Sequence, residues 1–397
     1  MTGVDVIGGV YRERCAFPHW EQIFGSAGRA AVALATHVPS VRLHTFLATN
    51  EVENSVAHFG SFGIDVSCVE RETEISFDYL HTLANPVIAP AIEELKPSPT
   101  LSVSADTAIL FGALEGNAKL QARRCVYDPQ SAFSPTAFRS TGSVAEHLAV
   151  VLNHGEAIKL VGECSIEEAA EKIAVAEGAE IVVVKNGIRG AYFWSAKTKG
   201  FVPAYRAESV FTIGSGDVFV AAFALAWAVN GVDVGTAVVY ASKATASYVE
   251  TRSLPILALK EVANKEWHPA VLKDGNVYLA GPFREVGQRV LINDARQQLT
   301  ALGMKVFSPI HDIGPGPAEK VVGSDLAALS QCDAVFAFLN GSSPGTVFEV
   351  GYARGLQKPT YCVAQNMRQA DLKLPIGSGC FVYDDYVTAL HKIAWRD

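Results

Sequence analysis

The chain has 397 residues, of which 49% are hydrophobic and 19% charged, and its formal net charge is −8. It is too long for one typical domain, and its composition is that of packed cores, which excludes intrinsic disorder. The acidic balance argues against a nucleic-acid backbone or an anionic membrane as the main partner, so any phosphate site must be local.

The seven cysteines, Cys15, Cys68, Cys125, Cys164, Cys332, Cys362 and Cys380, are scattered, with no C-x-x-C. This usage fits a reducing cytosol rather than a disulfide framework or a zinc site. No signal-peptide pattern opens the chain, so a cytoplasmic location is expected. The longest apolar run, Val218 to Val229, is stopped by Asn230-Gly231. It is too short to span a bilayer and reads as a buried helix.

In chain order, Val4 to Gly9 predicts a first strand, Arg29 to Thr36 a helix and Val41 to Ala48 a strand. Further strands are expected at Cys125 to Asp128, Ala157 to Val161 and Ile181 to Lys185, with helices at Ile166 to Glu177 and Asp217 to Asn230. Such alternation implies a mostly parallel, helix-covered sheet. Leu254 to Asp274 lacks periodicity, and its prolines with Asp274-Gly275 mark it as connector. A second α/β unit follows: strand Val277 to Ala280, helix Gly287 to Leu302, strand Lys305 to Ser308, helix Lys320 to Ser330, strand Ala334 to Leu339, helix Thr346 to Leu356 and strand Thr360 to Val363.

In the first half, Phe211-Thr-Ile-Gly-Ser-Gly-Asp-Val-Phe219 places two glycines and Asp217 at the start of an apolar helix. A glycine-rich turn there forms an anion-binding concavity, to which the helix dipole adds. Phosphoryl transfer needs that stabilisation together with a base for the acceptor hydroxyl, and Asp217 is the carboxylate in place. An N-capped helix without chemistry accounts equally for the pattern taken alone.

Read with Gly25-Ser-Ala-Gly28, Tyr127-Asp-Pro-Gln130, Asn153-His-Gly-Glu156 and Lys185-Asn-Gly-Ile-Arg-Gly190, residues 1–255 resemble the ribokinase-like (PfkB) sugar and nucleoside kinases. The resemblance implies that Gly214, Ser215 and Gly216 form the anion hole and that Asp217 is the base. It implies that Glu156 with Asn153 orders Mg2+ through water, that Lys185, Gly187 and Gly190 border the nucleotide, and that ATP and Mg2+ are the cofactors. Three positions depart from the family. Phe211 stands where the signature opens with an acid, Ala30 replaces the asparagine that grips substrate hydroxyls, and Glu13 replaces the aspartate after the first strand. A hydroxyl-reading site loses strongly when its polar partners go. Kinase activity on a small alcohol and a nucleotide-binding or purely structural role are both open.

In the second half, Tyr278-Leu-Ala-Gly-Pro-Phe-Arg284 closes a strand with a glycine turn and an arginine, and Ser324-Asp325 lies in a helix. Ser343-Pro-Gly-Thr-Val-Phe-Glu349 is a Gly-Thr turn into a helix that carries a carboxylate. In a doubly wound sheet these segments meet at the carboxyl ends of the strands, where ligands bind. Residues 276 to about 385 resemble the nucleoside 2-deoxyribosyltransferases and their nucleotide N-hydrolase relatives. The resemblance implies Glu349 as nucleophile on the anomeric carbon, Asp325 contacting the base or donating a proton to it, and Tyr278 orienting Glu349. It also places Gly281, Gly345 and Thr346 at the substrate, requires no cofactor for this half, and implies a dimer or larger assembly.

Ser343 divides the subfamilies. Enzymes on free nucleosides usually carry an aspartate there, which would repel a phosphate, whereas a serine hydroxyl and the following N–H groups donate to one. The chain resembles the nucleotide N-hydrolases at that serine and also at Arg284, which would supply a fixed positive fork for a phosphate. The expectation is therefore a small-molecule substrate, a nucleoside 5′-monophosphate whose glycosidic bond is hydrolysed. The alternative is deoxyribosyl transfer, with the kinase-like half serving as nucleotide sensor or scaffold. The fold expected is α/β throughout: a ribokinase-like three-layer domain over 1–255, a linker over 256–275, and a doubly wound, flavodoxin-like parallel-sheet domain over 276–397.

Overall fold

The computed structural model describes residues 3–131 and 134–396. The chain divides into two compact units, 1–270 and 271–397.

The first unit is built on a nine-stranded sheet. Its spatial order is Lys199–Val202, Ala191–Ser195, Ile181–Lys185, Val144–Asn153, Ala118–Asp128, Leu101–Phe111, Val4–Ile7, Val41–Ala48 and Ile64–Arg71. The seven strands from Ile181–Lys185 onward pair in parallel, and the first two extend the sheet antiparallel. Helices cover both faces, as the near-continuous apolar strands require. Gly25–Leu34, Ser215–Ala224 and Val234–Thr251 pack into one core layer, and Ile166–Glu177 with His154–Val161 into the other. A separate four-stranded sheet, in the order Trp20–Ile23, Arg12–Phe17, Ser76–His81, Val87–Ala89, stands apart from the large one. Its short strands carry charges such as Arg14, Glu21 and Asp78 among the apolar residues, which masks their alternation.

Two sequence expectations change here. Ala157 to Val161 is not a strand but the end of helix His154–Val161. Asn153 and Glu156 form a reciprocal capping box at its start, and that local pair of bonds outweighs the β-branched composition. The strand lies upstream, at Val144–Asn153. The stretch expected as connector folds onto the first unit up to residue 270. Ile256 N–H donates to Ala33 O at 3.2 Å, helix Leu259–Asn264 buries Val262, and Trp267 Nε1 donates to Val262 O at 2.8 Å.

The second unit is a five-stranded, all-parallel sheet in the order Lys305–Phe307, Asn276–Ala280, Ala334–Phe338, Thr360–Val363, Phe381–Tyr383. This is the 2-1-3-4-5 doubly wound order, and the direction in which strands are added reverses between Asn276–Ala280 and Ala334–Phe338. Helix Pro344–Gly355 follows the second of those strands, so the switch point faces the helix that bears Glu349. The last strand and helix Tyr386–Ala394, beyond the motifs, complete the unit.

Candidate functional site

In the second unit the strand Asn276–Ala280 carries Tyr278 fully buried, its ring stacked on Phe307 with centroids 5.6 Å apart. The Tyr278 hydroxyl donates to Glu349 Oε1 at 2.7 Å. Glu349 sits in the second turn of helix Pro344–Gly355, and burial, reinforced by the charge of Asp325, pushes its carboxyl up to about 7 against the lowering pull of the Tyr278 hydroxyl. Asp325, on helix Ala318–Gln331, is itself raised by burial, and its Oδ1 is buried without a hydrogen-bond partner. Two carboxyls held in their neutral direction, one of them anchored by a phenol, form an arrangement chemically able to exchange protons near neutrality.

Ser343 is the N-cap of the same helix, with Pro344 in the first turn and Thr346 buried. Its side chain makes no capping bond, so the first N–H groups of the helix have no side-chain partner from the N-cap. Gly281 directly follows strand Asn276–Ala280, and a Cβ there would lie 2.4 Å from Ile292 Cδ1, so that side chain would have to shift to admit a larger residue. Arg284 is exposed on the loop before helix Val286–Ala301. The structure thus brings Tyr278, Glu349 and Asp325 together, puts Ser343, Gly345 and Thr346 at the entrance of Glu349's helix, and leaves Arg284 on the rim. His311 bonds Ser308 Oγ at 2.9 Å and Asn293 Oδ1 at 2.8 Å, and burial holds its ring in the neutral direction.

In the first unit Gly214, Ser215 and Gly216 open helix Ser215–Ala224, with Gly214 at φ 76°. Lys185 Nζ reaches to 3.4 Å from a Cβ built on Gly216 and donates to Asp128 Oδ2 at 2.6 Å. Burial opposes the Lys185 charge, but Asp128 and Glu156 raise the group overall. Glu156 is pushed up to about 7 by burial and by Asp128, and accepts from Ser131 N at 2.9 Å and Asn153 N at 2.8 Å. Gly187 and Gly190 shape the turn after Ile181–Lys185. Among the described residues no cluster of three or more His, Cys, Asp or Glu side chains is arranged to hold a metal ion directly.

Asp217 is buried, and both its oxygens are taken. Arg29 Nη1 donates to Oδ2 at 2.7 Å, and Gln130 Nε2 donates to Oδ1 at 3.1 Å. The same guanidinium grips both oxygens of Glu13. Sequence reasoning named Glu13 and Asp217 but passed over Arg29. Its signal was an arginine inside the apolar helix run Gly28 to Leu34, which requires a buried counter-charge. Phe211 packs with Cys15, Ile213, Trp20 and Tyr79, and Ala30 is fully buried.

Residues 118–259 match the pfkB family carbohydrate kinases, and residues 277–385 match the nucleoside 2-deoxyribosyltransferases. Two separate stretches of the chain are thus similar to enzyme families, the first to the pfkB carbohydrate kinases and the second to the nucleoside 2-deoxyribosyltransferases. Within the pfkB half, the chain is 36% identical over 103 residues to 5-dehydro-2-deoxygluconokinase of Bacillus licheniformis, a match spanning 26% of this chain and 31% of that relative. Among solved structures, a ribokinase from Thermotoga maritima is similar at 20% identity, over 66% of this chain and 97% of that one, with a TM-score of 0.48. A nucleoside kinase from Methanocaldococcus jannaschii is similar at 16% identity, over 66% and 97%, with a TM-score of 0.46. The first matched stretch ends where helix Leu259–Asn264 begins, and the second contains the Tyr278–Glu349 pair. No helix among the described residues is long and apolar enough to cross a membrane.

Proposed function

We propose that the second unit cleaves the N-glycosidic bond of a nucleoside 5′-monophosphate, with Glu349 as nucleophile. The observation that carries this reading is the Tyr278–Glu349 hydrogen bond at the sheet's switch point, with Glu349 held near 7 and Asp325 beside it. Glu349 attacks the anomeric carbon, and the carbon–nitrogen bond breaks with its electron pair going to the base, which takes a proton from Asp325. Water then attacks the glycosyl ester, gives its proton to Asp325, and releases sugar phosphate and free Glu349. Ser343 with the N–H groups of Gly345 and Thr346 receives the 5′-phosphate, and Arg284 closes over it from the rim. Assembly as a homodimer or larger fits the exposed Val347 and Phe348 that flank Glu349.

The nucleoside 2-deoxyribosyltransferase reading uses the same residues and is favoured by the match over 277–385. It differs in the second step, where a new base rather than water attacks. Release of free base from nucleoside monophosphates and from nucleosides, with and without an added second base, separates the two. Faster release from nucleosides than from monophosphates counts against the phosphate-site reading.

For the first unit, the glycine turn Gly214–Gly216 and Lys185 suit the phosphates of ATP, and Glu156 with Asn153 suits a water-bridged Mg2+. That group, when bound, would supply a transferable phosphoryl. The Arg29–Asp217 ion pair favours the reading in which this unit binds nucleotide or acts as scaffold.

A further inference from the structure

The first unit contains a charged cluster that none of the chemistry assigned to the second unit uses. A base for an acceptor hydroxyl must offer an oxygen within about 2.6–3.2 Å of it. Both Asp217 oxygens are already engaged, one by Arg29 and one by Gln130, and the residue is only 6% exposed, so little of it is open to an incoming hydroxyl. Arg29 is 1% exposed, and its partner Glu13, on the small-sheet strand Arg12–Phe17, is 5% exposed. Arg29 Nε is buried with no partner, so the guanidinium is placed by its two carboxylates at the expense of one donor. Gly214 makes room for it, since a Cβ there would lie 2.1 Å from Nε.

Further links join the small sheet and its flanking residues to loops of the same unit. Trp20, at the edge of the small sheet, packs edge-on to Phe211 with ring centroids 5.3 Å apart. Thr212 Oγ1 donates to Thr82 O, just after strand Ser76–His81, at 2.5 Å. Tyr11 folds back over Gly9 and donates to Glu115 Oε2 at 2.6 Å.

We propose that Arg29 is the built-in occupant of the position an acceptor hydroxyl would take at Asp217, and that it latches the four-stranded sheet over the core, closing this unit to phosphoryl acceptors. The Glu13–Arg29–Asp217 bridge is electrostatic, and the Trp20–Phe211 contact is its apolar counterpart. The departures at Glu13 and Phe211 are the two residues that make these links, so they belong to one device. The proposal stands whatever reaction the second unit performs.

Hydrogen–deuterium exchange on the full chain tests the latch. In the wild type the amides of Arg12–Phe17 and Ser76–His81 are expected to exchange as slowly as those of the core strand Ile181–Lys185. Glu13→Gln is expected to speed the small-sheet amides by about tenfold or more while leaving the core strand unchanged. Trp20→Ala, which breaks the apolar link alone, is expected to act in the same direction and serves if Glu13→Gln does not fold. Small-sheet exchange that is fast in the wild type, or unmoved by either variant, overturns the latch. ADP formation matched by phosphorylation of a polyol or nucleoside, present in the wild type and lost in Asp217→Asn, overturns the occupancy of the acceptor position.

Discussion

The Tyr278 hydroxyl donates a 2.7 Å hydrogen bond to Glu349 Oε1, and it is the interaction that holds this carboxyl down against burial and against Asp325. With Glu349 at about 7, ionisation of the nucleophile controls the acid limb of activity. Base release is expected to rise with pH as Glu349 ionises and to fall again where Asp325 loses the proton it must donate. Tyr278→Phe removes the lowering bond, so the limb moves to higher pH, which a pH–rate profile reads directly. An unmoved limb would separate Tyr278 from the ionisation of Glu349.

Asp325 acts on Glu349 in the opposite sense, since its negative charge raises that carboxyl. Asp325→Asn is expected to shift the acid limb to lower pH while slowing release of the base, because the leaving base loses its proton donor. General-acid groups contribute about 10²–10⁴-fold. The loss should be smallest for bases that leave readily as anions, and kcat across a series of leaving bases measures it.

The raised carboxyl also links stability to pH. The folded second unit favours protonated Glu349, so this contribution is present below the ordinary carboxylate range and is lost as pH rises through about 7. For a partly exposed group the loss is on the order of 2–3 kcal/mol. Urea unfolding of wild type and Glu349→Gln between pH 5 and 8 is expected to show a declining stability in the first and a flatter profile in the second.

Ser343→Asp places a carboxylate at the helix entrance, where the 5′-phosphate is proposed to lie. Preference is expected to shift from the monophosphate toward the nucleoside, mainly through KM. Charged hydrogen bonds of this kind carry about 1.5–3 kcal/mol, or roughly one to two decades in kcat/KM. An unchanged preference would place the phosphate elsewhere.

Two glycines carry a structural prediction. Gly214 has φ 76°, and a Cβ on it strikes Arg29, while a Cβ on Gly281 strikes Ile292. Gly214→Ala combines left-handed strain with that clash, and Gly281→Ala overpacks the strand–helix contact, each costing about 1–3 kcal/mol. Denaturant midpoints of the two variants check this.

Much of the second unit was legible because its motifs follow its strands. Tyr278, Asp325 and Glu349 were named from local patterns, and the doubly wound order brings them together. The first unit's parallel sheet was readable from its apolar strands, but its small sheet was not. Strands such as Trp20–Ile23 and Arg12–Phe17 are short and carry glutamate and arginine that pair across strands, so no hydrophobic period survives. Ala157 to Val161 has the apolar, β-branched content of a strand, yet the Asn153–Glu156 capping box just upstream starts a helix through it. The partnership of Arg29 with Asp217 spans 188 positions, a separation no local pattern encodes.

The most direct test of the account is the release of free base from nucleoside 5′-monophosphates by the wild-type chain and by Glu349→Ala, with the matching nucleosides in parallel. The account predicts base release from monophosphates without added ATP, slower release from nucleosides, and loss of both in Glu349→Ala. Base release that persists undiminished in Glu349→Ala would contradict it.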